Sequence, residues 1–251
     1  INRYENGALQ DEAHDNLIRA CQNPSFVRER LEKRGDRLSE WQRSRAKEVL
    51  KGEEKPESGW VELLGDLDWL VESEEVSVQT GFRRFDYGRF AGVAVWMCRR
   101  LEEVSRTTIN KLLFYTDFLN FKTSTVSITG SPYRRLPYGP APADYGHLLD
   151  NMEADGILEC REVEFPDGKT GFYYCPGENT GRATEDFSQH ERLVLREVAD
   201  ELGSLTATQI SERSHRESAW INTAEKKLIP YTEAESLSLS LPEASASVET
   251  T

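Results

Sequence analysis

Long apolar stretches are missing from this sequence: no run approaches the roughly 20 consecutive apolar residues that cross a bilayer, and the first residues carry neither a basic nor an apolar signal region. Cysteine is scarce too, because Cys21, Cys98, Cys160 and Cys175 are scattered and include no Cys-x-x-Cys pair for zinc or redox chemistry. We therefore expect a cytoplasmic protein with reduced thiols and no membrane partner.

Sequence signatures of catalysis are also lacking. There is no G-x-x-x-x-G-K-[ST], H-E-x-x-H, G-x-S-x-G or G-x-G-x-x-G motif. The four histidines are isolated from one another, and Asp66 and Asp68 would point apart on a helix. We expect no catalytic residue, no cofactor and no metal, so the chain is not predicted to be an enzyme.

Positive charge is in the minority, since 31 Lys and Arg face 44 Asp and Glu and give a formal charge of -13. This balance opposes the attraction to phosphates on which nucleic-acid binding depends, so the chain alone is predicted to bind DNA poorly. Hydrophobic residues make up 37% and charged residues 30% of the 251 positions. That composition supports a packed core beneath well-solvated helix faces.

Four segments follow from the sequence pattern: a helical region at 1–50, a linker with an acidic amphipathic helix at 51–84, a compact domain at 85–241 and a disordered tail at 242–251. A polar run at 52–59 marks the first boundary. The apolar stripe from Trp60 to Val71 either packs on its own domain or docks to a basic partner. The fold class is α+β and mainly α, a helical domain with a β-hairpin.

Two helices supply the core of the predicted domain. Asp86 suits the N-cap of a helix over Phe85 to Val104. The next helix, Thr107 to Lys122, is apolar on almost every side and should be nearly buried. Its Asp117 then needs a partner, and we expect Lys111 or an arginine of the following loop to provide it.

A hairpin and several short helices complete the domain. Strands over Ile157 to Phe165 and Lys169 to Cys175 flank Pro166-Asp-Gly168, and Cys160 faces Cys175 if Asp167 and Gly168 are the central turn residues. Two small residues on the core face are favoured over a redox or metal pair. Capping boxes at 188–191 and 206–209 predict two helices, and Ser218 starts another turn. From Thr232 onward, few large apolar groups remain to support an ordered chain.

The segment from Ser127 to Tyr145 contains four prolines, which exclude a helix interior or a central strand and predict a stiff loop. Tyrosine and arginine on such a backbone favour a contact surface, because they supply large contact area at low entropic cost. Packing beneath the helices is the alternative, and both can hold.

These motifs, taken in order, resemble the Panacea (SocA-like) domain of bacterial toxin–antitoxin systems. The resemblance rests on Lys111-Leu-Leu-Phe-Tyr-Thr-Asp-Phe118, Leu136-Pro-Tyr-Gly-Pro-Ala-Pro142, Leu205-Thr-Ala-Thr-Gln-Ile-Ser211 and Trp220, and extends from about Phe85 to Leu241. At the other end, Ile1-Asn-Arg-Tyr-Glu-Asn-Gly7 is similar to the close of the recognition helix in the Xre-type helix-turn-helix of MqsA-like antitoxins. Residues 1–50 are accordingly expected to be the C-terminal remnant of such a domain, followed by a charged helix.

The resemblance implies an antitoxin of a type II system that neutralises a cognate toxin by direct binding. It also implies that the full-length protein represses its own operon, and DNA would then be bound only through an N-terminal region missing here. A winged-helix or helix-turn-helix transcriptional regulator without a toxin partner is the alternative, supported by the hairpin and the capped helices. Whether the chain forms a homodimer stays open.

The residues predicted to bind the partner are those of the proline-rich loop and its supports. Trp220 is expected to support the others from behind. They are Tyr115, Asp117, Tyr133, Arg134, Arg135, Tyr138, Pro140 and Trp220.

Overall fold

The structure is a computed structural model that describes residues 76–242 except 167 and 169. The predicted helix-turn-helix remnant, the charged helix, the acidic helix that begins at Trp60 and the last residues of the tail lie outside this part of the chain. No helix within it is long and apolar enough to cross a membrane.

The described residues form an α+β fold that is mainly helical, which confirms the predicted class. The α-helices are α1 (Tyr87–Leu101), α2 (Arg106–Ser124), α3 (Tyr145–Ala154), α4 (Gln189–Leu202), α5 (Ala207–Ser214) and α6 (Ser218–Ile221). The strands are β1 (Val104–Ser105), β2 (Tyr133–Leu136), β3 (Gly139–Pro142), β4 (Leu158–Glu164) and β5 (Thr170–Pro176). Short 3₁₀ turns cover Thr180–Arg182 and Tyr231–Ser236.

Side-chain caps start the helices where the sequence places them. The Asp86 carboxylate accepts from the Arg89 amide at 3.0 Å and begins α1. Both predicted capping boxes form, at Ser188 for α4 and at Thr206 for α5. Each box pairs orphan amide donors at a helix start, so these boundaries are fixed locally.

Helix α2 is the centre of the fold. Every residue from Thr108 to Phe121 is buried, which confirms the prediction of a nearly buried helix. It contacts α1, α4, α5, β3 and the 3₁₀ turn Tyr231–Ser236. Because α2 is surrounded, its few polar side chains must find partners inside the protein.

The predicted β4–β5 hairpin forms, and β1 joins it in the strand order β1-β5-β4. Its register differs from the prediction, because Cys160 lies opposite Tyr174 and Glu159 lies opposite Cys175. The last pair is Glu164 with Thr170, so the connection is longer than a two-residue turn and the register moves by one position. The two cysteines therefore face opposite sides of the hairpin, and both are free thiols. Of the predicted turn residues, Gly168 has φ 79°, and Asp167 lies outside the described part.

The chain after Thr232 is ordered where the composition predicts loss of order. Leu237 and Leu239 are buried against the core. Lys122 Nζ donates to the carbonyls of both residues, at 2.8 and 3.1 Å. Two alternating leucines are enough to order this segment, because Lys122 near the end of α2 also holds its backbone by hydrogen bonds.

The folded unit also reaches upstream of Phe85, into residues that the sequence pattern places in the linker. Thr80 is fully buried, and the Tyr231 amide donates to the Val78 carbonyl at 2.9 Å. Arg83 Nε donates to the Ser127 carbonyl at 2.7 Å. Residues 78–83 therefore belong to the same packed unit as α2.

Candidate protein-binding surface

The proline-rich segment predicted as a stiff loop folds into a two-stranded hairpin, β2–β3. Its pairs run from Tyr133 opposite Pro142 to Leu136 opposite Gly139, so Pro137 and Tyr138 form the tip. The two prolines within the strands, Pro140 and Pro142, are tolerated in β3 because its outer edge pairs with no other described strand and makes no demand on their missing N–H groups. Gly139 adopts φ 99°, a conformation that favours glycine and lets the chain reverse at the tip.

Hydrogen bonds hold this hairpin from the side. The Arg135 amide donates to the Lys227 carbonyl at 3.1 Å, and the Lys226 amide donates to the Arg135 carbonyl at 2.9 Å. Further along β2, the Ile229 amide donates to the Tyr133 carbonyl at 2.8 Å. The chain at 226–229 thus covers the open edge of β2.

The tip is held separately, by side chains of α5 and α6. Ser211 Oγ donates to the Tyr138 carbonyl at 2.8 Å. Trp220 Nε1 donates to the Leu136 carbonyl at 3.0 Å. The backbone of the tip is therefore fixed by donors from two helices, and this leaves the Tyr138 side chain free to project.

At its base, the hairpin is attached to Asp117 of α2. The carboxylate accepts from the amides of Ile128 and Thr129 at 2.7 and 2.8 Å, and from the Tyr133 hydroxyl at 2.8 Å. The Thr129 hydroxyl donates to it as well. Burial raises the pKa of Asp117, and these hydrogen bonds oppose that rise.

The prediction of a lysine or arginine partner for Asp117 is therefore wrong. Four donors from the following loop and β2 replace the expected cation, because backbone amides and hydroxyls solvate a carboxylate without requiring a second buried charge. The consequence is structural: Asp117 joins α2, residues 128–129 and the hairpin in one buried network.

Tyr115, two residues before Asp117, holds α6 in the same way. Its hydroxyl donates to Glu217 Oε1 at 2.9 Å. The Glu217 side chain, 2% exposed, also accepts from the amide and hydroxyl of Ser238. Burial, then the negative charge of Glu217, raises the pKa of Tyr115 beyond its ordinary range. Glu217 immediately precedes α6, so this contact positions Trp220.

The exposed part of the hairpin lies beside α6. The Tyr138 side chain is 77% exposed, and Ile221 at the end of α6 is 60% exposed. The Arg135 guanidinium lies 4.0 Å from the centre of the Trp220 ring, and the His215 ring lies 4.3 Å from that of Trp220. We define the hairpin surface as Arg135, Tyr138, Trp220 and Ile221.

The structure divides the eight predicted partner-binding residues. Arg135, Tyr138 and Trp220 come together on the hairpin surface. Arg134 alternates to the other face of β2, where it donates to the Lys226 carbonyl at 3.1 Å. The remaining four are buried, namely Tyr115, Asp117, Tyr133 and Pro140. Tyr115 and Asp117 are enclosed because they lie on the surrounded helix α2, and Tyr133 and Pro140 because the hairpin packs against that helix. All four lie beneath the surface.

Lys111 is the residue of this region that sequence reasoning considered only as a partner for Asp117 and not as part of the contact surface. It is 2% exposed on α2, and burial lowers its pKa to about 7. A Cβ on Gly139 would lie 2.7 Å from Lys111 Cε and 2.2 Å from Ser214 Oγ, so the hairpin tip rests directly on these side chains. The available signal was a single cation in the middle of a helix that is apolar on almost every side, at position 111 within the buried stretch 108–121.

These features define a mainly helical protein whose rigid hairpin presents aromatic and cationic side chains. Residues 109–221 match the family model described as antitoxin SocA-like, Panacea domain. The match covers less than half of the 251 residues, but it includes most of α2, the hairpin and α6. It confirms the family resemblance over these residues, while the predicted Xre-type tail lies outside them. Neither the curated proteins nor the solved structures yield a match.

Proposed function

We propose that the protein is an antitoxin that neutralises a cognate toxin by binding it directly through the hairpin surface. The observation that carries this proposal is Tyr138: its side chain is 77% exposed although its own carbonyl is held by Ser211. An exposed tyrosine on a fixed backbone has little entropy left to lose when a partner docks. The family match over residues 109–221 supports the same role.

The composition of the hairpin surface fits a protein partner. Tyrosine, tryptophan and arginine are the residues enriched at the energetic centres of interfaces. Arg135 and Trp220 already stack on each other, so the surface is assembled before binding. In this proposal Tyr115, Asp117, Tyr133 and Pro140 contribute by positioning the hairpin and α6, and only the exposed residues contact the toxin.

Control of transcription is a further part of the proposal, and it rests on the similarity of Ile1 to Gly7 to the end of a recognition helix. Repression of the operon would require the N-terminal region to contact DNA, since the chain has a formal charge of -13. The alternative is a transcriptional regulator without a toxin. Full repression by a protein whose neighbouring gene product is harmless would favour that alternative.

Co-expression with the product of the adjacent reading frame tests the antitoxin proposal. We expect that product alone to arrest growth, and the chain to restore growth and to co-purify with it. Tyr138→Ala should weaken the complex by about 2 kcal/mol or more, as expected for a hot spot. Phe165→Ala is a matched control, because Phe165 is an exposed aromatic (41%) at the other hairpin.

Thermal melting separates binding from folding in this experiment. If Tyr138→Ala melts like the parent and loses the complex, the surface assignment holds. If Tyr138→Ala retains full rescue, the hairpin surface is not the toxin contact. A harmless neighbouring product would contradict the antitoxin function itself.

A further inference from the structure

A positive charge without a counter-charge lies directly under the hairpin surface. Lys111 is 2% exposed, and within the described part of the chain its ammonium forms neither an ion pair nor a hydrogen bond. A buried unpaired charge costs several kcal/mol, so proteins rarely retain one unless a partner or ligand completes it. The fold accommodates this lysine closely, since the glycine at position 139 leaves room for its side chain.

Two more nitrogens beside Lys111 also lack hydrogen-bond partners. His215 Nε2 and Arg135 Nε are buried, and neither finds a hydrogen-bond partner among the residues described. Burial, followed by the positive charge of Lys111, lowers the pKa of His215, and Arg135 adds to the effect. The Pro137 carbonyl opposes it by accepting from the ring, and the negative charge of Glu212 opposes it as well. The three groups are therefore close enough to repel one another.

Two carboxylates lie in this region, and neither pairs with Lys111 among the described residues. Glu212 is exposed on α5 and acts on His215 only through its charge. Glu217 accepts from Tyr115 and from both the amide and the hydroxyl of Ser238. Arg213, the cation of α5, has its guanidinium 3.9 Å from the Glu201 carboxylate. Burial alone lowers the pKa of Lys111, with no neighbouring acidic group raising it. The cluster thus offers an ammonium and a guanidinium N–H, and no carboxylate pairs with either among the described residues.

We propose that Lys111, Arg135 and His215 form a receptor for one carboxylate, supplied by an Asp or Glu side chain of the protein partner. The inference rests on the proposed function, because it assigns a chemical requirement to the partner that docks on the hairpin surface. A carboxylate has two oxygens and about four acceptor sites, which match the Lys111 ammonium, the Arg135 Nε–H and an imidazolium Nε2–H of His215. The neutral His215 ring uses its one N–H on the Pro137 carbonyl, so it takes up a proton from solvent when the carboxylate binds.

The exposure of the side chains around the cluster indicates how the partner's acidic side chain reaches it. Arg135 and Trp220 are partly exposed, whereas Lys111 is 2% exposed and His215 Nε2 is covered. The acidic side chain therefore enters beside Arg135, at the rim formed by Tyr138 and Trp220. A charged pair formed inside such a rim is shielded from water, and there a charge-assisted hydrogen bond is strongest.

Replacing Lys111 with methionine distinguishes a lysine that binds the partner from a lysine that only stabilises the fold. Lys111→Met keeps the length of the side chain and removes the charge, so the free protein should melt at a higher temperature. The same variant should bind the toxin at least tenfold more weakly. Lys227→Met, at an exposed position, is the matched control and should change neither property. Equal toxin affinity of Lys111→Met and the parent would overturn the inference.

A second experiment uses sodium acetate as the probe and needs no toxin. Side-chain NMR of the full chain should show a saturable shift of the Lys111 Nζ and Cε signals as acetate is added. Sodium chloride at matched ionic strength should not reproduce it. Identical responses to the two salts would contradict a carboxylate receptor even if the toxin binds normally.

The two experiments separate the inference from the function on which it rests. A positive acetate response with no toxin complex in the parent protein would remove the antitoxin proposal and keep the receptor. A toxin complex that tolerates Lys111→Met would do the reverse. Replacing the acidic side chains of the toxin interface by their amides should reproduce the loss seen with Lys111→Met. Loss of affinity only on extending the toxin's C-terminus would overturn the side-chain assignment.

Discussion

The Tyr133 hydroxyl donates to the Asp117 carboxylate at 2.8 Å, and this contact ties the hairpin to the central helix. Asp117→Ala would leave two amides and two hydroxyls inside the core without an acceptor. Each unsatisfied buried donor costs about 1–3 kcal/mol, so we expect a loss of unfolding free energy of about 3 kcal/mol or more. Urea denaturation measures it.

Tyr133→Phe is the matched variant for this network. It removes a single donor from Asp117 and should cost about 1 kcal/mol, because the carboxylate keeps three hydrogen bonds. The two changes should be non-additive, since they share one interaction. Additive losses would show that the Tyr133–Asp117 bond contributes nothing to stability.

Gly139 supplies a second test of the hairpin's support. Gly139→Ala should destabilise the protein by about 2 kcal/mol or more, because its φ of 99° strains an alanine and the new Cβ would overlap Lys111 and Ser214. Gly146→Ala is the control: nothing lies within 4 Å of a Cβ there, and the position is in α3. That variant should be neutral or slightly stabilised.

Equal unfolding free energies for these two glycine variants would contradict the packing of the tip on Lys111. Toxin binding adds a second readout. Gly139→Ala should also weaken the complex, since a displaced tip carries Tyr138 with it.

The cysteines differ in reactivity according to burial. Burial, with a minor contribution from Cys175, raises the pKa of the Cys98 thiol to about 12, so almost no thiolate exists at neutral pH. We expect iodoacetamide to modify the partly exposed Cys160 and Cys175 in the folded protein, and Cys98 only after denaturation. Peptide mass spectrometry identifies each site. A bridged Cys160–Cys175 peptide would contradict the observed register, which puts the two thiols on opposite faces.

Local signals were sufficient to predict the helices. Asp86, Ser188 and Thr206 cap helices through hydrogen bonds within three residues, so the sequence alone contains both partners. The central place of α2 was predictable for a similar reason, because a helix that is apolar on every side has no face for solvent.

Contacts between distant segments were not predictable in this way. The edge of β2 is covered by residues 226–229, which lie far along the chain and carry no strand pattern. The partners of Asp117 are backbone amides, which every residue possesses and no motif marks. The residue types of the candidate site could therefore be predicted from the sequence. Which of its tyrosines is exposed (Tyr138) and which is buried (Tyr133) could be read only from the fold.

The last prediction concerns pH and Lys111. Burial lowers the pKa of Lys111 to about 7 from an ordinary value of 10.5. Between these two values the unfolded chain binds more protons at this lysine than the folded protein does. Stability contributed by this group must therefore rise with pH, by up to about 1.4 kcal/mol per pH unit.

Comparison of the parent with Lys111→Met isolates this effect from other groups. Burial and the charges of Lys111 and Arg135 lower the pKa of His215 from its ordinary value of 6.5. Burial raises the pKa values of Tyr115, Tyr133 and Cys98, which release protons only at high pH. The other charged groups around the site are Arg135, Glu212, Arg213 and Glu217. We expect Lys111→Met to be more stable than the parent at pH 7, and the difference to shrink steadily towards pH 9. Urea denaturation at pH 7, 8 and 9 measures the difference, with Lys227→Met expected to follow the parent throughout. A difference that stays constant over this range would mean that Lys111 keeps an ordinary pKa in the folded protein, and that its ammonium is already solvated or paired.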